Sequence, residues 1–195
     1  MGVSRPAAAA RHGQDLRPPA QGRVSGPPGQ VLGRTLNRNR RETHMAGVWF
    51  DELQVGQRFD HPIRRTLTET DNVLFTAMTH NPALLHLDEE YMKGTEFGSR
   101  IVNSAFTLGL MVGISIGDTT LGTAVANLGW DEVRFPKPLY HGDTIHVVTE
   151  VIELRDSKSR PDAGIVTFLH QAFNQRDELV ASCKRSGLQR KKPKS

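Results

Sequence analysis

The residues best suited to acid–base chemistry lie in one short stretch, from His80 to Asp88. His86 is the first candidate, because an imidazole has an unperturbed pKa near neutrality and can serve as both base and acid. Asn81-Pro82 precede it and mark a loop, and a structural histidine in that loop is the alternative. His80, His86 and Asp88 have no further ligand at a zinc-like spacing, so we expect no metal site.

A second candidate feature is the pair Asn103-Ser104, which directly precedes the apolar segment 105–117. If that segment is a helix, its first backbone N–H groups and the positive end of its dipole lie beside this pair. Such groups stabilise negative charge that develops on an oxygen during a reaction. Equally, Asn and Ser are residues typical of a plain N-cap.

Three helices are expected to position these residues. The pair Thr68 and Asp71, three residues apart, is typical of a capping box. Apolar residues then recur at helical spacing, which predicts a helix over about 69–79. Asp88 begins an acidic stretch suited to the start of a short helix. Segment 105–117 is apolar on all sides, which predicts a buried helix, and its glycines, spaced four residues apart, are expected to admit a neighbouring backbone.

Four segments of strand-like composition follow, separated by turn sequences: 122–135, 143–154, 163–174 and 178–189. Helices followed by consecutive antiparallel strands are an α+β order, unlike the alternation that builds parallel sheets. We therefore expect one α+β domain with a single hot-dog fold, in which an antiparallel sheet wraps around a central buried helix.

Four stretches, taken in order and with their spacing, match a known pattern: residues 75–88 (FTAMTHNPALLHLD), 101–104 (IVNS), 133–138 (VRFPKP) and 141–143 (HGD). Through them the sequence resembles the MaoC-like family of hydratases and dehydratases, over about residues 49–189. The resemblance implies addition of water to, or its removal from, a trans-2-enoyl thioester, usually coenzyme A linked and of R stereochemistry. In that family an Asp five residues before a His completes the catalytic pair.

His86 matches the family His, whereas Asn81 stands at the position of the Asp. An amide cannot be ionised and so cannot act as a general base. Three interpretations stay open. His86 alone deprotonates a water that Asn81 orients; or Asn81-Pro82 corresponds to the family's Asn-Pro and the loop is rebuilt; or the activity is lost.

The resemblance also implies coenzyme A as part of the substrate, no separate cofactor, and a homodimer. Arg134, Lys158 and Arg160 are the candidates to contact the phosphates of coenzyme A, with solvated surface charges as the alternative. Residues 156–164 resemble the subset that acts on branched or dicarboxylic acyl groups, such as mesaconyl thioesters. His141 and Asp143 lie in a turn sequence and are expected to fix its geometry rather than take part in chemistry.

Two other functions remain open. A hot-dog acyl-CoA thioesterase would use the same pocket, but it would release free thiol. A non-catalytic homologue would bind acyl thioesters without reacting with them, and Asn81 in place of a carboxylate favours it.

The composition argues against several other classes. Residues 1–44 hold eight Arg against two acidic residues, Asp15 and Glu42, whereas the rest of the chain holds 17 basic and 19 acidic side chains. No aromatic residues that could stack on bases accompany these arginines. We therefore expect no nucleic-acid partner. The one cysteine, Cys183, excludes an intrachain disulfide and predicts a reducing, cytoplasmic location. Segment 105–117 is shorter than the ~20 residues of a membrane helix, so no membrane association is expected.

The two ends of the chain differ from its middle. Residues 1–44 are rich in Pro, Gly, Ala and Arg and lack apolar periodicity, which predicts a disordered basic extension. Translation starting at Met45, a natural extension and a transit peptide are the alternatives considered. The domain is expected over 45–189, followed by a basic tail, 190–195.

Overall fold

The computed structural model describes residues 47–194, so the expected extension over 1–44 and the alternative start lie outside the described residues. The elements follow in the order 3₁₀ turn (Phe50–Glu52), β1 (Arg58–Asp60), β2 (Arg65–Thr66), α1 (Glu69–Met78), α2 (Leu84–Leu87), α3 (Glu89–Lys93), α4 (Ser104–Thr119), β3 (Ala124–Arg134), β4 (Thr144–Asp156), β5 (Ala163–Phe173) and β6 (Leu179–Arg190). The predicted helices and the four predicted strands are confirmed, with ends shifted by no more than about two residues.

The first helix begins where its capping residues predict. The Thr68 hydroxyl oxygen accepts from the Asp71 amide at 3.1 Å, and Asp71 Oδ2 accepts from the Thr68 amide at 2.9 Å. Both orphan amides at the start of α1 are therefore satisfied locally. Arg65 holds the same carboxylate at 2.7 Å, which ties α1 to the short strand before it.

The sheet is antiparallel, with the strand order β1-β4-β5-β6-β3, and β2 pairs separately with β4. Helix α4 packs against β4, β5 and β6. Its buried side chains Met111 and Ile114 join a core with residues of the sheet, among them Ile145, Val147 and Ala172. This arrangement confirms the α+β hot-dog expectation, since one long helix lies on a meander of long strands.

The burial of α4 differs from the sequence expectation. The helix buries one stripe, but Ser104, Ala105, Gly109 and Gly113 are exposed. A Cβ built at any of the three glycines of the helix would meet nothing within 4 Å. Because no described element covers this face, the expectation that the glycines admit a backbone of the same chain is wrong.

The end of the described chain runs back along the domain rather than away from it. Arg190 is the last residue of β6, and the Lys191 amide donates to the Asp162 carbonyl at 2.9 Å. The Lys192 amide donates to Asp51 at 2.9 Å. Within residues 47–194, none of the helices combines the length and the apolarity needed to cross a membrane.

Candidate active site

His86 lies in the one-turn helix α2 and is only 7% exposed. Its Nδ1 is 2.9 Å from the carbonyl oxygen of Ile101. A carbonyl can only accept, so Nδ1 carries the proton and Nε2 of the neutral ring keeps its lone pair. Among the described residues nothing forms a hydrogen bond to Nε2, which leaves that nitrogen available as a base.

Asn72 positions His86 from the facing side of α1. The side chain is fully buried, and its Nδ2 lies 3.2 Å from the carbonyl of His86 and 3.3 Å from that of Ile101. Its Oδ1 accepts from the Asn103 amide at 2.8 Å. The amide side chain of Asn72 therefore connects His86, the Ile101 carbonyl that orients its ring and the N-cap of α4.

Sequence reasoning did not single out Asn72. Its signal was present, because Asn72 and Thr76 are polar residues four positions apart and share one face of α1. Both are fully buried in the fold. Buried polar side chains on the packed face of a helix are expected to hydrogen bond to specific partners.

Asn81 opens the loop between α1 and α2 and uses part of its side chain locally. Its Oδ1 accepts from the Ala83 amide at 3.0 Å, and its own amide donates to the Thr76 carbonyl at 3.1 Å. The Nδ2 group, a donor, is the part of the side chain that is left for a ligand. His80, just before it, has a φ of 53°, and its side chain is exposed.

Asn103 is the N-cap of α4, as one of the two interpretations predicted. Its Oδ1 accepts from the Ala105 amide at 3.0 Å, and its Nδ2 donates to the Thr76 hydroxyl at 3.3 Å. Ser104 is exposed and makes no side-chain hydrogen bond to a described residue. Its backbone amide is in the first turn of α4, where N–H groups have no acceptor within the helix.

A cavity of about 310 Å³ lies at this end of α4. Ser104 and Thr107 contribute polar groups, and the other lining residues are mainly apolar: Phe97, Ile101, Val102, Phe135, Pro136, Lys137, Pro138, Leu139 and Val180. His86 itself is not among the lining residues, but Ile101, whose carbonyl holds its ring, is. Ile101 therefore connects the ring of His86 to the cavity.

The turn after β3 supports the site from the other side. Asp143 accepts from the Tyr140 amide at 2.9 Å and from the Gln175 side chain at 2.6 Å, and Gly142 adopts a φ of 93° between them. His141 Nε2 lies 3.0 Å from Asn72 Nδ2. Burial, with the nearby Arg100 guanidinium, lowers the pKa of His141, which keeps its ring neutral as an acceptor for Asn72.

The three basic candidates do not come together in one chain. Arg134 is exposed at the last position of β3, directly before Phe135 of the cavity. Lys158 and Arg160 follow β4 at the opposite end of the sheet. Through Ser182 of β6, Arg134 aligns with Gln171 of β5, and the eight steps of ~3.3 Å from Gln171 to Ala163 span about 26 Å.

Arg160 lines a different cavity, of about 540 Å³, together with Trp49 and the residues 190–194. Its guanidinium is 2.6 Å from the Asp162 carboxylate. A guanidinium held by a carboxylate is less available to a phosphate.

The family comparison matches residues 51–172 to the model described as MaoC like domain. Mesaconyl-CoA hydratase of Cereibacter sphaeroides is 29% identical over 147 residues, which are 75% of this chain and 42% of that protein. The chain therefore spans less than half the length of this curated relative.

Two solved structures show the same architecture. The MaoC-like dehydratase of Rhodospirillum rubrum is 29% identical, with a TM-score of 0.68, over 76% of this chain and 100% of that one. A Mycobacterium tuberculosis protein described as a double hotdog fold is 24% identical, with a TM-score of 0.68, over 77% of this chain and 46% of that one. The second likeness supports the fold alone.

Proposed function

The chain belongs to the MaoC-like domain family, and from that premise we propose that it adds water to, or removes it from, a trans-2-enoyl thioester, with His86 as the reacting base and acid. The hydrogen bond from Nδ1 to the Ile101 carbonyl carries the proposal, because it leaves the Nε2 lone pair free on a ring that is oriented by a residue lining the cavity. In the hydration direction, Nε2 takes a proton from water as the oxygen attacks the β carbon. The imidazolium then returns a proton to the α carbon.

Asn81 is proposed to orient the attacking water. Since its Oδ1 accepts from Ala83, its Nδ2 donates to the oxygen of the attacking water and orients it. The side chain therefore acts as a positioning group, and His86 alone changes its protonation state.

The first turn of α4 is proposed to stabilise the enolate. Asn103 satisfies the Ala105 amide, which leaves the Ser104 amide and the positive end of a 16-residue helix for the thioester oxygen. Fixed N–H donors of this kind are preorganised, so they need no rearrangement as charge develops. Ser104 already lines the cavity.

The substrate is proposed to be a short branched or dicarboxylic acyl group on coenzyme A. The cavity of about 310 Å³ is mostly apolar and holds one cationic residue, Lys137, whose Nζ pairs with Glu178 at 2.5 Å. The similarity to a mesaconyl-CoA hydratase supports the same substrate class. Arg134 is proposed to contact the phosphates at this end of the sheet, whereas Lys158 and Arg160 reach them only from a second copy of the chain.

A homodimer is proposed on the basis of two exposed surfaces. The glycine face of α4 is uncovered, and β3 is an edge strand whose Leu128 and Trp130 are 51% and 48% exposed. An exposed edge with apolar side chains is a template for pairing with another chain.

A reducing compartment, the cytoplasm, is proposed as the location. Cys183, the only cysteine of the chain, is buried in the core, and burial raises the pKa of its thiol to about 11. The thiol is therefore protonated at neutral pH and unsuited to nucleophilic attack.

The test is the loss of the enoyl-thioester absorbance band when the full chain is mixed with straight-chain, branched and mesaconyl-type enoyl-CoA. His86→Asn should lower kcat by about 10²-fold or more, the range of general acid–base catalysis. His80→Asn is the matched control, because His80 is exposed and lies six residues away in the same segment. Unchanged turnover in His86→Asn would remove His86 from the mechanism, and free thiol as the product would identify a thioesterase instead.

A non-catalytic binding protein is the second candidate, and the amide at position 81 favours it. Asn81→Asp separates the two, since an aspartate can still accept from the Ala83 amide. If Asn81 orients water in a working hydratase, the exchange should leave kcat unchanged or reduce it. Activity that appears only in Asn81→Asp would identify the natural chain as a binding homologue.

A further inference from the structure

Arg185 is a buried cation that has no carboxylate partner among the described residues. It lies on β6, is 6% exposed, and forms no ion pair within residues 47–194. Its guanidinium carbon lies 5.4 Å from the centre of the Phe168 ring. Burial without a counter-ion lowers the pKa of Arg185, although a guanidinium remains charged at neutral pH.

A chain of hydrogen bonds fixes the orientation of this guanidinium. Arg185 Nε donates to His170 Nε2 at 3.1 Å, so His170 Nδ1 carries the proton and donates to the Thr149 hydroxyl at 2.8 Å. Thr149 in turn donates to His61 Nε2 at 2.8 Å, and His61 Nδ1 donates to Asp118 at 2.8 Å. Every donor and acceptor in the chain is thus assigned, from the guanidinium to the carboxylate.

These hydrogen bonds use only Nε of Arg185. The two terminal nitrogens of Arg185 donate to no described residue. Nη2 is buried without a partner. An unpartnered charged donor inside a protein is costly, and proteins normally satisfy such a group with a ligand, an ion or water.

A third cavity, of about 270 Å³ and partly open to solvent, is lined by Arg185 and the residues around it. Two other lining residues also hold a buried polar atom without a partner: Oγ1 of Thr120, which can donate, and Oε1 of Gln189, which can only accept and therefore does not contact an anion. The remaining lining residues are mainly small or apolar: Ile116, Ala124, Val125, Ala126, Asn127, Gly187 and Leu188. We name this space the Arg185 cavity.

We propose that the Arg185 cavity binds the carboxylate of a small organic acid. The terminal nitrogens of Arg185 and the hydroxyl of Thr120 donate to the carboxylate oxygens, and the short carbon skeleton contacts the apolar wall. A guanidinium is suited to this role, because its fork of donors matches the two oxygens of a carboxylate. The volume is several times the ~30 Å³ that one water occupies in the liquid, so it suits a small molecule.

The Arg185 cavity is separate from the site of His86 within one chain. It borders the C-terminal part of α4, at Ile116 and Thr120, whereas the first cavity borders Ser104 at the N-terminal end. Twelve helical steps of ~1.5 Å between Ser104 and Ile116 place the two regions about 18 Å apart. The inference therefore does not depend on the hydratase proposal.

The test is calorimetric titration of the full chain with isobutyrate and with isobutyramide, which has nearly the same shape but no charge. Isobutyrate should bind, and isobutyramide should bind at least tenfold more weakly. Arg185→Gln should reduce isobutyrate affinity at least tenfold. Because Arg185→Gln also removes the hydrogen bond to His170, Thr120→Val is the second variant. It should weaken isobutyrate binding several-fold in a protein of unchanged fold. Thr167→Val, outside the cavity, is the matched control.

Equal affinity for the acid and the amide, or unchanged affinity of isobutyrate for folded Arg185→Gln, overturns the proposal. Displacement of isobutyrate by chloride at equal concentration also overturns it, since the site would then be a general anion site.

Methylsuccinate and its coenzyme A monothioester identify the source of the carboxylate. If Arg185→Gln weakens the binding of methylsuccinate alone, the ligand is a free acid. If it also weakens the binding of the thioester, the carboxylate is the distal one of an acyl group.

Discussion

At the scale of single residues, the site depends on which atoms the backbone leaves free. The Ile101 carbonyl fixes the tautomer of His86, and Asn72 contacts the carbonyls of both residues. An imidazole held in this way needs no carboxylate to fix its tautomer. That arrangement explains how a chain with Asn81 at the acidic position can still present an unprotonated Nε2.

Asn72→Ala should separate positioning from binding. Loss of its side chain leaves the His86 and Ile101 carbonyls and the Asn103 amide with fewer partners, so the free energy of unfolding should fall by about 1–3 kcal/mol. We expect kcat to drop about tenfold or more with a smaller change in KM, because the Ile101 carbonyl that orients the ring of His86 is less firmly held. Thr70→Ala, exposed on the same helix, is the control. A change in KM alone would contradict a positioning role.

His170 predicts how stability depends on pH. Burial, together with the charge of Arg185, lowers its pKa from 6.5 to about 3. Between those values the unfolded chain binds a proton that the folded chain does not, so stability should fall as pH drops from 6.5 towards 3. The contribution is at most about 1.4 kcal/mol per pH unit.

The measurement is urea unfolding of the wild type and of His170→Gln across this pH range. The variant lacks the titrating ring, so its stability should decline less steeply in acid than that of the wild type. His80→Gln, at an exposed position, should follow the wild type. Parallel curves for wild type and His170→Gln would show that the ring is not kept neutral by the fold.

At the scale of elements, α4 connects the core to two cavities, the one at Ser104 and the Arg185 cavity. Its buried stripe packs on the sheet, its N-terminal end borders the first cavity, and its C-terminal part borders the Arg185 cavity. The cap at Asn103 is therefore expected to matter for function as well as for stability.

Asn103→Ala should lower the free energy of unfolding by about 1 kcal/mol, the usual effect of a lost N-cap. Asn103→Asp should retain most of that stability, because a carboxylate can still accept from the Ala105 amide, although it cannot donate to Thr76. Ser104→Ala is the control for stability, since the Ser104 side chain makes no hydrogen bond to a described residue. Equal stability of Asn103→Ala and the wild type, measured by thermal and urea unfolding, would exclude the capping role.

At the scale of the whole molecule, the uncovered face of α4 is the feature that one chain leaves unexplained. Ala105, Gly109 and Gly113 are exposed on a helix whose sequence is apolar on all sides. Glycine in a helix costs about 1 kcal/mol relative to alanine. A second copy packed closely against this face would account for three glycines in one helix.

Gly113→Leu should therefore convert a dimer to monomers without unfolding the chain. Within one chain a Cβ at this position meets nothing within 4 Å, so the added side chain has room until a partner packs there. Sedimentation equilibrium measures the change, and Glu90→Leu adds the same side chain to an exposed position of α3 as a control. A monomeric wild type, or a Gly113→Leu dimer of unchanged affinity, would contradict the proposed interface.

The sequence by itself determined the element types and the order of helices and strands. Hydrophobic periodicity, the Thr68–Asp71 capping box and the turn residues are local signals, which is why α1, α4 and the four long strands lie where they were predicted. His86, Asn81 and Asn103 could be predicted as candidates for the site because residue type and spacing are also local properties.

Only the tertiary structure decided which of these residues meet. The contacts of Asn72 with His86, Ile101 and Asn103 span 14 to 31 positions, and those from Arg185 to His170, Thr149 and Asp118 cross β6, β5, β4 and α4. The same geometry places Lys158 and Arg160 far from Arg134. Pairings of this kind depend on strand order and helix packing, which bring together side chains that no window of sequence contains.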